Sequence, residues 1–156
     1  MKNTVKRMLT KKVTLTLILG LVAAMPQAWA LPSQGSYAAA NSVKATIDTT
    51  TANVMNITGK SANTALDWAG FNVAKVETVN FAKYNDANTN YLNLIHDSNA
   101  SQILGTMTGA GGNVYLVNPN GIIFGSDAKV TISKGSLVAS TRPLDQVGDC
   151  RVCRWQ

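Results

Sequence analysis

Val114 to Gly125 reads V-Y-L-V-N-P-N-G-I-I-F-G: two apolar runs separated by Asn118-Pro119-Asn120-Gly121. Proline presets φ near −65° for the second position of a tight turn, and asparagine and glycine tolerate the strained or left-handed positions that follow. The local reading is strand, turn, strand. Working outward, further short apolar stretches recur at small intervals, at Ala128 to Ile132 and Ser136 to Thr141 on one side and at Tyr91 to Ile95 on the other. In the last of these, Leu92 and Leu94 are expected on one face. Gly109-Ala110-Gly111-Gly112 lacks the following Lys-Ser/Thr and helix start of a phosphate loop, so a hairpin turn is expected there.

Further upstream, Leu66 and Trp68 alternate, Gly70 interrupts them as a bulge or bend, and Phe71, Val73, Val79 and Phe81 continue the pattern. Trp68 and Phe71 are expected in the core, because each buries a large apolar area. Val43 to Ile47 and Val54 to Thr58 read as half-buried strands, with Thr49-Thr50-Thr51 as a polar connection. The fold class is all-β. A hairpin stack, a sandwich and a β-helix all produce this spacing, and periodicity does not choose among them.

Composition agrees with many short strands. Charged residues are only 14% and aromatics 6% of the 156 residues, too few for charged amphipathic helices to dominate. The net charge of +6 is misleading, because five of the fourteen basic residues lie before residue 31, where there is no acid. The rest carries nine basic against eight acidic groups, not the basic patch expected of a nucleic-acid-binding domain.

Residues 1–30 have the three parts of a secretory signal: a positive start, an uncharged apolar run from Val13 to Met25, and Ala28-Trp29-Ala30, which sets cleavage between Ala30 and Leu31. The apolar run is short against the ~20 residues a membrane-spanning helix needs. Export removes the mature chain from the cytoplasmic pool of ATP and nicotinamide cofactors. His96 is the single histidine, with no serine or cysteine arranged around it. No G-x-S-x-G, H-E-x-x-H or paired-carboxylate motif appears, so no catalytic residue, metal ligand or cofactor is assigned.

Several motifs together resemble one family. V-N-P-N-G-I-I-F-G, the run D-W-A-G-F-N-V followed by E-T-V-N-F, and S-N-A-S-Q-I-L-G-T are similar to the amino-terminal secretion domain of filamentous-haemagglutinin-type exoproteins, exported by two-partner secretion. Asn93-Leu94-Ile95 stands where many members have N-R-V, and a second asparagine-proline motif is absent. The chain therefore resembles the high-molecular-weight-adhesin branch more than the haemolysin and contact-toxin branch. The resemblance implies a right-handed parallel β-helix with capping and extra-helical strands, spanning 31–141.

It also implies partners and a location. These are the general secretion machinery for the signal, then a two-partner outer-membrane transporter with periplasmic recognition domains. The destination is the surface or medium of a diderm bacterium, reached through the periplasm. Asn118, Pro119, Asn120, Gly121 and Ile122 are the expected recognition and turn motif, with Asn118 and Asn120 side chains bonding to backbone to hold the turn. Recognition by β-augmentation suits such a segment. Alternatives are a surface adhesin fragment binding host glycans or proteins directly, with host ligands otherwise engaged through a missing passenger, and an exported β-protein with no partner.

Residues 142–156 read R-P-L-D-Q-V-G-D-C-R-V-C-R-W-Q, charged and without alternation. The expectation is a tail foreign to the domain, from a frameshift, a premature stop or a gene fragment. Cys150 and Cys153 form C-x-x-C, a redox pair or half a zinc site by pattern, and in an exported chain more simply a local disulfide or two incidental cysteines.

Overall fold

The computed structural model describes residues 31–142. The secretory signal with Ala30, the C-x-x-C pair Cys150 and Cys153, and all of the tail beyond Arg142 lie outside the described residues.

The chain winds as a parallel β-helix of about four turns. The first coil contributes β2 (Val54–Gly59) and β3 (Asn63–Trp68), and the second β4 (Thr78–Ala82), β5 (Asn90–Ile95) and β6 (Ser101–Ile103). The third contributes β7 (Thr106–Gly109), β8 (Val114–Val117) and β9 (Ile122–Phe124), and the fourth β10 (Lys129–Ile132) and β11 (Leu137–Ser140). These strands stack into three faces. One runs β2-β4-β7-β10, a second β3-β5-β8-β11, and a third joins β6 to β9, with Val73 bridged to Ile103 below them. All of these pairings are parallel.

Gly109 to Gly112 is therefore not a hairpin turn. β7 pairs with β4 and β10, whereas β8 pairs with β5 and β11, so the glycines turn a corner between faces. Gly112 sits at φ +85°, and a Cβ there would come within 2.4 Å of the Thr89 carbonyl oxygen. Only glycine lets the corner approach the coil beneath it so closely.

Parallel register stacks the inward side chains in rows. Met55, Val79, Met107 and Val130 form one, and Ile57, Phe81, Gly109 and Ile132 another. Thr64, Tyr91, Val114 and Leu137 form a third, and Leu66, Asn93, Leu116 and Ala139 a fourth. Trp68 and Phe71 are fully buried and meet edge to face at 5.4 Å, as expected of core aromatics. Burying one such apolar side chain is worth about 1.5–3 kcal/mol, so these rows carry most of the stabilisation.

As expected, Leu92 and Leu94 share one face of β5. Tyr91, Asn93 and Ile95 point inward, and Leu92 and Leu94 lie on the other side of the strand. Two polar groups are satisfied inside. Asn93 Oδ1 accepts from Trp68 Nε1 at 3.0 Å, and its Nδ2 donates to the Tyr115 carbonyl at 3.0 Å. The Tyr91 hydroxyl accepts from the Gly59 amide at 2.7 Å and donates to the Ala82 carbonyl at 2.6 Å.

The amino-terminal end is capped. A 3-10 turn (Gly35–Tyr37) leads into α1 (Ala38–Lys44), followed by β1 (Ala45–Asp48), which pairs antiparallel with β2 as an extra-helical strand. Val43 and Lys44, expected to open a strand, complete α1 instead, and Val43 is 71% exposed. The run A-A-A-N-S favours helix, and Asn41 fixes it there: its amide donates to the Asp67 carbonyl at 2.8 Å and accepts from the Asp67 N–H at 3.1 Å.

Candidate functional site

Asn118 to Gly121 forms the corner between β8 and β9, which lie on different faces of the helix. The Gly121 N–H donates to the Asn118 carbonyl at 3.0 Å, closing a β-turn with proline second. Asn118 Oδ1 accepts from the Asn120 N–H at 2.9 Å, so its side chain holds its own turn. Gly121 carries the left-handed conformation, at φ +115°, and a Cβ there would stand 3.2 Å from Ala100 Cβ.

The corner is also bonded to the coils on both sides. Asn118 Nδ2 donates to the Asn99 carbonyl and to Ser101 Oγ, each at 3.0 Å, and its N–H donates to the Ser140 carbonyl at 3.0 Å. Asn120 Nδ2 donates to the Asp97 carbonyl at 2.7 Å, and the Ser101 N–H donates to the Gly121 carbonyl at 3.0 Å. Two sequence motifs noted separately, N-P-N-G and N-A-S-Q-I-L-G, thus meet at one corner. Asn118 is fully buried, Pro119 and Asn120 are exposed, Gly121 is intermediate, and Ile122 packs partly against the core.

Ser101 and the carbonyls of Asp97 and Asn99 complete the site and were not assigned from sequence. The missing signal was a stacking relation, Ser101 beside Ile122 in the β6–β9 ladder. Leu31, at the expected cleavage point, is partly buried against the core.

His96 is engaged elsewhere. Its Nε2 lies 3.0 Å from Asp67 Oδ1, its ring stacks on Tyr37 at 4.8 Å, and Asp67 Oδ2 also receives Lys44 at 3.4 Å. This cluster ties the cap to the first two coils. Among the described residues, no group of three or more His, Cys, Asp or Glu is placed to hold a metal ion.

At the other end, β9, β10 and β11 each pair with a single neighbour among the described residues. The inward rows end on partly uncovered side chains. Phe124, above Ile103, is 40% exposed, and Val130, above Met107, is 36% exposed. Ile123 and Val138 add exposed apolar surface on the outward side.

Comparison with known proteins places these features in context. The TPS secretion domain family matches residues 32–151, ten residues past Thr141. Two heme/hemopexin-binding proteins of Haemophilus influenzae are similar. One, from strain Rd, is 38% identical over 100 residues, covering 64% of this chain and 11% of that protein. The other is 36% identical over 104 residues, covering 67% of this chain and 11% of that protein. The chain thus spans about a tenth of these relatives' length. Among solved structures, the HMW1 secretion domain from Haemophilus influenzae superposes with a TM-score of 0.56 at 28% identity, covering 65% of this chain and 26% of that one.

Proposed function

The chain belongs to the TPS secretion domain family, and on that premise we propose that it is the targeting domain of a two-partner exoprotein, read by its cognate outer-membrane transporter and then serving as the first coils of a longer β-helix. The family is of secretion and adhesin type rather than an enzyme family, and its exoproteins leave through the outer membrane with such a transporter.

The observation that carries the recognition reading is the bracing of the N-P-N-G corner. Asn118 makes its bonds inside the folded domain and is inaccessible there, so a transporter reads it in the extended chain, before the coils close. The periplasmic recognition domains would take that segment by β-augmentation, and Pro119 and Asn120 would be the most readable of its residues after folding. Residues 1–30 would deliver the chain to the periplasm through the general secretion machinery.

The single-partnered β10 and β11 and the part-exposed Val130 and Phe124 among the described residues support the folding reading. A following coil would extend the Met107–Val130 and Ile103–Phe124 rows and pair the free edges of β10 and β11, removing an exposed edge that otherwise invites aggregation. Host ligands would then be met by such a passenger rather than by these coils.

The test is export. The chain is expressed with and without its cognate transporter, and the medium is assayed for the mature protein, comparing wild type with Asn118→Ala and Asn120→Ala. Transporter-dependent release that falls in Asn120→Ala, a variant expected to stay folded, supports the reading. Release without the transporter, or retention regardless of it, overturns it.

A further inference from the structure

Among the described residues, β3 is the edge strand of its sheet, bonded only to β5. The Ala62 carbonyl accepts from Asn90 N–H and the Trp68 carbonyl from His96 N–H, so even-numbered residues of β3 turn their amides toward β5. Asn63, Ala65 and Asp67 therefore turn theirs to the free edge.

Most of that edge is covered. Beyond the strand, Ser33 exchanges bonds with Ala69 and Gly70, its carbonyl accepting from both and its N–H donating to Gly70 at 2.8 Å. At Asp67, the Asn41 side-chain amide donates to C=O and accepts from N–H, the two bonds that a neighbouring strand residue would make. The Asn63 carbonyl accepts from Ser61 Oγ.

The amide pair left over is that of Ala65, and it faces a groove of about 540 Å³. Val43 and Leu94 supply apolar walls, and Lys44, Lys60 and Asp67 supply charge. Asp67 is already shared by Lys44 and His96, whereas among the described residues the Lys60 ammonium donates only to the Ser42 carbonyl, at 2.6 Å. The groove is thus left with an uncompensated ammonium. Val43, which spends no area on the core, is 71% exposed beside it.

We propose that this groove binds an extended peptide strand that pairs with the N–H and C=O of Ala65, sets an apolar side chain between Val43 and Leu94, and places a carboxylate at Lys60. The edge is already adapted to receive an amide, since Asn41 supplies one at the adjacent position. The volume falls in the ~300–1,000 Å³ range of ligand sites and holds a few residues of strand. Main-chain pairing provides affinity, and alternate side-chain contacts provide selectivity. The inference is independent of the secretion reading, because it concerns the folded cap and requires no transporter.

The experiment titrates the purified full-length chain into a fluorescein-labelled, N-acetylated peptide, Thr-Val-Asp-Val-Thr, and follows anisotropy. Saturable binding with Kd below about 1 mM is expected, weakened at least about tenfold when the central Asp nitrogen of the probe is methylated or Asp is replaced by Lys. Lys60→Glu should reverse the preference between the Asp and Lys probes, and Ala65→Pro, tolerated on an edge strand, should abolish binding. Absence of saturable binding, or equal binding of the methylated probe, overturns the proposal. The probe-side controls decide it even if a variant fails to fold.

Discussion

Asn118 Nδ2 and Ser101 Oγ lie 3.0 Å apart in the interior of one corner, joining β8–β9 of one coil to β5–β6 of the coil before it. The same nitrogen donates to the Asn99 carbonyl. The turn motif is therefore a clamp between coils as well as a turn. Asn118→Ala leaves these buried acceptors unpaired and should destabilise the domain by about 2–4 kcal/mol. Ser101→Ala should cost about 1 kcal/mol, and the double variant should show clear non-additivity in urea unfolding. Additive losses would mean that the two side chains are not coupled.

Asn120 behaves differently because it is exposed and makes a single side-chain bond, to the Asp97 carbonyl. Asn120→Ala should cost no more than about 1 kcal/mol. Export that falls severalfold in this variant while its thermal midpoint stays near wild type would separate recognition from stability. Unchanged export would restrict the motif to its structural part.

Gly121 holds φ +115°, and a Cβ there would stand 3.2 Å from Ala100 Cβ. Gly121→Ala should destabilise by about 1–3 kcal/mol, through backbone strain first and crowding second. Circular-dichroism melts compare it with Gly125→Ala, where strain is absent and a Cβ would instead meet Leu104 Cδ2 at 2.7 Å, a contact a flexible side chain relieves. The Gly121 variant should melt lower.

Tyr91 gives a pH prediction. Burial pushes its hydroxyl above the ordinary tyrosine value, with the Gly59 N–H partly opposing the rise. Because the folded pKa is raised, the stabilisation is present below about pH 10, the unfolded value, and is lost as pH climbs through the folded one. Tyr91→Phe should be less stable by about 1–3 kcal/mol at neutral pH, since the buried Gly59 N–H loses its acceptor, and should lack the alkaline loss seen in wild type. Parallel stability–pH curves for the two proteins would refute this.

The folding reading can be tested by fusion. Phe124→Ser removes apolar area from a side chain already 40% exposed, so the domain itself should lose no more than about 1.5 kcal/mol. A β-helical passenger fused in frame should fold more slowly on this variant than on wild type, read by protease resistance after dilution from urea. Equal rates would remove the templating role.

Much of this was legible in the residues. Leu66, Trp68, Phe71, Val73, Val79 and Phe81 are buried as their alternation requires, and the strands at Val54, Val114, Ile122 and Leu137 lie where β-branched and apolar runs put them. Local patterns failed where a long-range bond decided the outcome. Asn41, paired with Asp67, held Val43 in a helix.

By itself the sequence determined that the chain is all-β, where most of its strands lie, and that Asn118-Pro119-Asn120-Gly121 turns tightly, because backbone preferences and period-two alternation act within a few residues. Only the tertiary structure decided which strands stack, that the Gly109–Gly112 corner joins two faces rather than a hairpin, and that Asn118 reaches back to Asn99 and Ser101. Those outcomes depend on residues some twenty positions apart, brought together by the winding of the coil, and no local periodicity encodes such a distance.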